Sequence, residues 1–221
     1  EKALELANGP ASLSGQFSIS GLPLAGVSIE ATIDGSTQYA SSNNDGSFNF
    51  NNLTAGQNYT ITARKTGYTF SPASSTGILS GDVTVNFAAT LASFTISGQV
   101  TGTTGAVTLL VSIAGATSSV TTNSNGNFTI ANVPYGSTYS VTPVLTGYQF
   151  SPSSATGSAS ANVTANFQAA AATYGLSGVV AFSNGKGLAN ANIRFGSQSA
   201  ITAADGSYLI FGITHGTNAI V

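Results

Sequence analysis

Seven carboxylates and one imidazole, Glu1, Glu5, Glu30, Asp34, Asp45, Asp82, Asp205 and His215, are the chain's supply of acids and of histidine for proton transfer or metal binding. There is no cysteine. Thiolate zinc sites, iron–sulfur clusters and disulfides therefore lack their ligands, and a single histidine cannot build a multi-histidine metal site. His215 occupies a turn position held elsewhere in the chain by Ala55 and Tyr135, so it reads as a variable loop residue rather than the base of a nucleophile pair. Hydrolysis would fall to a carboxylate pair. Only Asp34 and Asp45 lie at turn tips of one stretch where they could converge, and a glycosidase pair needs a cleft lined by sugar-stacking rings, while Trp is absent. For calcium, Asn43-Asn44-Asp45-Gly46 offers oxygen ligands without the acid-rich loop and terminal Glu of an EF-hand. The equivalent position downstream is Asn125 with the glycine kept, which is what a turn requires. No catalytic residue, no cofactor and no metal site is expected.

These sparse residues sit on a repeat of about 80 residues. Ser14-Gly15, Ser97-Gly98 and Ser177-Gly178 each open a run of alternating apolar residues. Asp45-Gly46-Ser47-Phe48 returns as Asn125-Gly126-Asn127-Phe128 and as Asp205-Gly206-Ser207-Tyr208. Gly67-Tyr68-Thr69-Phe70-Ser71-Pro72 returns as Gly147-Tyr148-Gln149-Phe150-Ser151-Pro152, and Asn86-Phe87 as Asn166-Phe167. The glycines at 46, 126 and 206 mark turns, and Phe48, Phe128 and Tyr208 mark the core beside them. Tyr68, Phe70, Tyr148 and Phe150 alternate, which suits a sandwich edge or an inter-domain core better than a binding strip.

The elements that position these residues are strands. Val27, Ile29, Ala31 and Ile33 alternate with polar neighbours, as do Phe48 and Phe50, then Tyr59, Ile61 and Ala63, then Val83, Val85 and Phe87, so one face of each run points inward. Asp34-Gly35 and Asn44-Asp45-Gly46 supply positive φ between them. Short strands separated by such turns predict an all-β chain of tandem antiparallel Greek-key β-sandwiches, Ig-like or transthyretin-like, with about seven strands per copy. The expected division is an N-terminal segment 1–11, repeat 1 over 12–92, repeat 2 over 93–172 and an incomplete repeat 3 over 173–221, with short linkers around Leu91–Phe94 and Ala170–Tyr174.

Charge limits the partners. Five basic and seven acidic residues give a net charge of −2, and residues 93–172 contain no Asp, Glu, Lys, Arg or His. Soluble domains carry charge on roughly a quarter of their residues, so a charge-free repeat points to a covered or assembled setting such as an extracellular array. The scattered basic residues offer no stripe for phosphates, which excludes nucleic acid as a partner. No apolar run is long enough to span a bilayer as a helix. Asn52, Asn58, Asn127 and Asn162 lie in glycosylation triplets, a pattern that an Asn- and Thr-rich chain also makes by chance.

The order Ser-Gly-x-(Val/Phe), Leu24-Ala25-Gly26-Val27, Asp45-Gly46-Ser47-Phe48, Leu53-Thr54-Ala55-Gly56 and Gly67-Tyr68 resembles the carboxypeptidase regulatory-like, transthyretin-like and collagen-adhesin B-type domains of bacterial surface proteins. The resemblance implies a sandwich serving as stalk, spacer, adhesin repeat or enzyme appendage. Many collagen-adhesin B-type domains carry a Lys–Asn or Lys–Asp crosslink. Repeat 2 has no lysine and Lys65, beside Arg64, reads as a solvated strand-end charge, so no crosslink is expected.

The two ends complement each other. Repeat 3 lacks the Gly-Tyr-x-Phe-Ser-Pro segment and the closing Asn-Phe strand, while Leu4 and Leu6 align with the closing strand of an earlier copy and are the candidate strand-exchange residues. The expected protein is a non-enzymatic structural protein, secreted or on the cell surface, forming a stalk or fibre subunit. Its expected partners are copies of itself or neighbouring repeats of a longer chain. The alternative is an adhesin, with a host or glycan ligand, or a binding repeat of a larger surface protein or secreted enzyme.

Overall fold

A computed structural model of the chain describes residues 9–216. Every regular element among them is a strand. These residues divide into two compact units: one runs to Phe94 and takes in Pro134–Gly136, and the other holds Thr95–Val133 and the chain from Ser137 onward. Leu4 and Leu6 lie outside the described residues.

The first unit contains β1 (Pro10–Ile19), β2 (Leu22–Pro23), β3 (Ser28–Ile33), β4 (Ser36–Ser41), β5 (Ser47–Thr54), β6 (Asn58–Arg64), β7 (Tyr68–Ser71), β8 (Ser74–Ile78), β9 (Val83–Thr84) and β10 (Phe87–Leu91). One sheet runs β4-β3-β6-β8; the other runs β2-β1-β10-β7, with β5 and β9 also paired to β1. The alternation read from sequence is the burial pattern: Val27, Ile29 and Ala31 are fully buried and Ile33 nearly so. Residues of both sheets join in one core. At its centre the Phe17 ring stacks on Phe87 at 4.9 Å, tilts against Phe48 at 5.3 Å and meets Phe70 edge-on at 5.6 Å. Burying each such ring contributes about 1.5–3 kcal/mol. The β3–β4 hairpin turns on Asp34 and Gly35, both at positive φ, a combination that matches the twist of the flanking strands.

The sandwich is antiparallel apart from its closing strands, since β9 and β10 both run parallel to β1. That arrangement explains the Ser-Gly and Asn-Phe motifs. Where the chain passes from β9 to β10, Val85 N–H donates to Ser14 O at 2.8 Å and Asn86 Oδ1 accepts from Gln16 N–H at 3.0 Å. A Cβ on Gly15 would overlap the Val85 carbonyl. Only glycine allows the two backbones to approach so closely.

The second copy repeats this topology without a counterpart of β2, with β11 (Ser93–Thr101), β12 (Thr108–Ile113), β13 (Ala116–Thr121), β14 (Asn127–Pro134), β15 (Thr138–Val144), β16 (Tyr148–Ser151), β17 (Ala155–Ser158), β18 (Val163–Thr164) and β19 (Phe167–Ala171). Its sheets run β13-β12-β15-β17 and β14-β11-β19-β16, with β18 on β11. The closing motif recurs: Ala165 N–H donates to Ser97 O at 2.8 Å, Gln99 N–H donates to Asn166 Oδ1 at 3.0 Å, and a Cβ on Gly98 would overlap Ala165 O. Only Ala92 separates β10 from β11, and only Ala172 separates β19 from the next strand.

The third copy holds β20 (Thr173–Val179), β21 (Asn192–Phe195), β22 (Gln198–Ile201) and β23 (Ser207–Thr214), paired as β20-β23 and β21-β22. Ile210 is buried. Leu176 and Ala191 are only half-buried, although their counterparts Leu13 and Val27 are fully buried.

Candidate functional site

Among the described residues the acids lie in turns, strands and loops. Asp45 Oδ1 accepts from Ser47 Oγ at 2.6 Å and from Ser47 N–H at 3.0 Å; Asp205 does the same with Ser207 at 2.7 and 3.0 Å. Hydrogen bonds from the serine hydroxyl, then from its backbone N–H, hold both carboxyls below their ordinary value. In the second copy Asn123 Oδ1 takes over this work, accepting from Asn125 N–H at 2.9 Å and Asn127 N–H at 3.0 Å. A carboxylate replaceable by an amide in an equivalent turn is satisfying backbone donors. Asp82 Oδ1 accepts from Ser12 Oγ at 2.8 Å. Among the described residues no three His, Cys, Asp or Glu side chains group together.

Gly46, Gly126 and Gly206 sit at positive φ, and a Cβ on them would press on the carbonyls of Phe17, Val100 and Val180 respectively. Each glycine carbonyl in turn accepts the N–H of that same residue at 2.9 Å. These repeat-defining glycines therefore tie the turn to the first strand of each copy. Phe48 and Phe128 are buried and Tyr208 half-buried beside them. Tyr68 and Phe70 pack partly buried against the first core, and Tyr148 and Phe150 are half-buried at the same places in the second copy.

Two contacts were missed in the sequence. Lys65 is not a free strand-end charge: its Nζ donates to Ala25 O at 2.8 Å and Gly26 O at 3.2 Å, 6.0 Å from the Tyr68 ring centre. His215, read as a variable loop residue, lies over Gly147, where a Cβ would overlap its ring, and 6.2 Å from the Tyr174 ring; its N–H donates to Ala172 O at 2.9 Å. Tyr135 makes the same set of contacts in the first unit, over Gly67, 6.4 Å from Phe94, with its N–H on Ala92 O at 2.8 Å. The signal was present in the paired recurrence of Gly67 and Gly147, but only three dimensions connect those glycines to a ring so far along the chain.

The remaining feature is an edge. Ser14 O and Ser97 O each receive an N–H from a closing segment, whereas none donates to Ser177 O among the described residues. Among the described residues, the three atoms nearest to a Cβ placed on Gly178 all belong to the Tyr208 side chain, where Gly15 and Gly98 meet a backbone carbonyl first. Val179, Ile201 and Phe211 are largely exposed in the same copy.

Residues 14–91 match the family model of the carboxypeptidase regulatory-like domain. The resemblance drawn from the motifs holds for the first copy. The chain is 34% identical over 167 residues to chitinase ChiA of Flavobacterium johnsoniae, a match covering 72% of this chain and 11% of the chitinase. Among solved structures it is similar to the Bacillus anthracis TIE protein, at 13% identity and TM-score 0.63, over 94% of this chain and 44% of that one. That likeness shows the fold alone. The minor pilin GBS52 of Streptococcus agalactiae aligns over 73% of this chain and 96% of its own at 14% identity, but its TM-score of 0.35 carries no argument. No helix among the described residues is long and apolar enough to cross a membrane.

Proposed function

We propose that the chain is a non-catalytic, extracellular structural protein whose tandem Ig-like modules, residues 12–92, 93–172 and 173–221, form a surface stalk or fibre subunit. The third module is completed by a strand from outside the copy. The observation that carries this reading is the edge at Ser177–Val179, which repeats the Ser-Gly acceptor of the first two copies without a partner among the described residues. An unpaired edge beside half-buried apolar residues is costly in water, and an added strand satisfies both at once. The donor is the segment Lys2–Ala7 of a neighbouring copy, with Leu4 and Leu6 as the candidate strand-exchange residues, or the next module of a longer chain. The charge-free second module suits a surface covered in an assembly.

A second reading, an accessory repeat of a larger secreted enzyme or adhesin, is favoured by the identity with the chitinase, which falls on the repeats and leaves most of that enzyme's length outside the match.

Electron microscopy of the chain with and without residues 1–7 tests the fibre form. Filaments from the full chain and folded single particles from the shortened one are expected. Single particles from both, with the third copy resistant to protease, would contradict it.

A further inference from the structure

The three copies differ at one place where the first and third show what the second has lost. In the first copy, Leu24 closes the end of the sandwich: its N–H donates to Phe17 O at 2.9 Å, its carbonyl accepts from Ser42 Oγ at 2.8 Å, and its side chain belongs to the core at 8% exposure. In the third copy Leu188 repeats the arrangement, with its N–H on Val180 O at 2.8 Å and its carbonyl accepting from Thr202 Oγ1 at 2.6 Å. The loop that carries this leucine spans residues 18–26 and 181–190 in those copies but only 101–106 in the second. No leucine lies in the shorter loop.

The receiving groups remain. Thr122, 6% exposed, still accepts from Val107 N–H at 3.0 Å, as Ser42 does from Val27, yet the described residues provide no carbonyl to take its own hydroxyl proton. No loop N–H reaches Val100 O, the counterpart of the Phe17 and Val180 carbonyls. Between them opens a pocket of about 460 Å³ lined by Gln99–Val107 and Thr122–Gly126. It therefore presents one main-chain acceptor, Val100 O, and one hydroxyl, Thr122 Oγ1, the counterparts of the groups that hold the leucine N–H and carbonyl in the other two copies. Main-chain bonds combined with a side-chain pocket are a common mode of peptide capture.

We propose that this pocket of the second copy is a peptide-binding site for a neutral, leucine-bearing extended segment of another polypeptide. The leucine N–H bonds to Val100 O, its carbonyl accepts from Thr122 Oγ1, and its side chain takes the place that Leu24 fills in the first copy. Neutrality follows from the absence of any charged side chain over residues 93–172, because a charge brought into the site would be desolvated without a partner. The inference stands apart from strand addition at β20, which involves a different copy and different residues.

The test is an NMR titration of the isotope-labelled full chain with the end-blocked peptide Gly-Leu-Pro-Leu-Ala-Gly-Val, the sequence of residues 21–27. Saturable shifts confined to Gln99–Val107 and Thr122–Gly126 are expected. Replacing the second leucine of the peptide by alanine, or methylating its nitrogen, should weaken binding about ten-fold or more. Neither change touches the folding of the protein. A chain whose loop 101–106 is replaced by the sequence of residues 18–26 should fill its own pocket and show no shifts. Absence of saturation at millimolar peptide, equal binding of the methylated peptide, shifts centred on Ser177–Val179, or the same signals moved by a neutral oligosaccharide but not by the peptide would each overturn the proposal.

Discussion

Gly15, Gly98 and Gly178 occupy one place in the repeat but face different surroundings, and the difference sets their cost of substitution. Alanine at 15 forces its Cβ into the Val85 carbonyl, so either the closing strand shifts or Val85 N–H leaves Ser14 O. A loss of about 2–3 kcal/mol is expected for Gly15→Ala, against less than about 1 kcal/mol for Gly178→Ala, where the nearest atoms belong to the Tyr208 side chain. Urea unfolding monitored by residue-resolved NMR checks the contrast, and equal losses would mean that Gly178 is also crossed by backbone. The two turn carboxylates make a prediction of sign. Asp45 and Asp205 are held below 3.8 by hydrogen bonds from Ser47 and Ser207, so their contribution is complete above the unfolded value. It is lost as pH falls through the depressed folded value. Carboxyl NMR should place both midpoints below 3.8, and Asp45→Asn should remove the first copy's share of this acid sensitivity; ordinary midpoints would contradict the turn geometry.

Strands and turns were legible because their causes are local. Alternation placed Val27, Ile29 and Ala31 inward, and Asp34-Gly35 made a hairpin turn, since side-chain period and backbone φ act over a few residues. The closing strands were not legible in the same way. That β9 and β10 run parallel to β1 depends on pairing between ends of a copy about 70 residues apart, which no local pattern encodes. The contacts of Lys65 and His215 were not legible for the same reason: their partners at Ala25, Gly26 and Gly147 lie far away in sequence. At the core of the first copy, Phe87 links β10 to β1 through the Phe17 stack. Phe87→Ala should cost about 3–5 kcal/mol and detach β10, exposing the Ser14 and Gln16 contacts that follow it. Unfolding of the first copy ahead of the second, read from their separate NMR signals, is the expected outcome; simultaneous loss of both would show that the ring supports more than its own sandwich.

Across the chain, three copies of one sequence pattern carry decreasing amounts of the same sandwich among the described residues. The first two hold complete pairs of sheets, and the third holds two antiparallel strand pairs with Ile210 as its buried anchor. Marginal burial and unpaired backbone go with low local stability, so the third copy is where the proposed strand addition has its effect. Amide hydrogen exchange of the full chain in dilute solution tests this most directly, by comparing Ser177–Val179 with Ser14–Gln16 and Ser97–Gln99. The account predicts rapid exchange at the third site and slow exchange at the first two, with protection at the third appearing when the chain assembles or is extended. Equal protection at all three sites in a monodisperse monomer would contradict it.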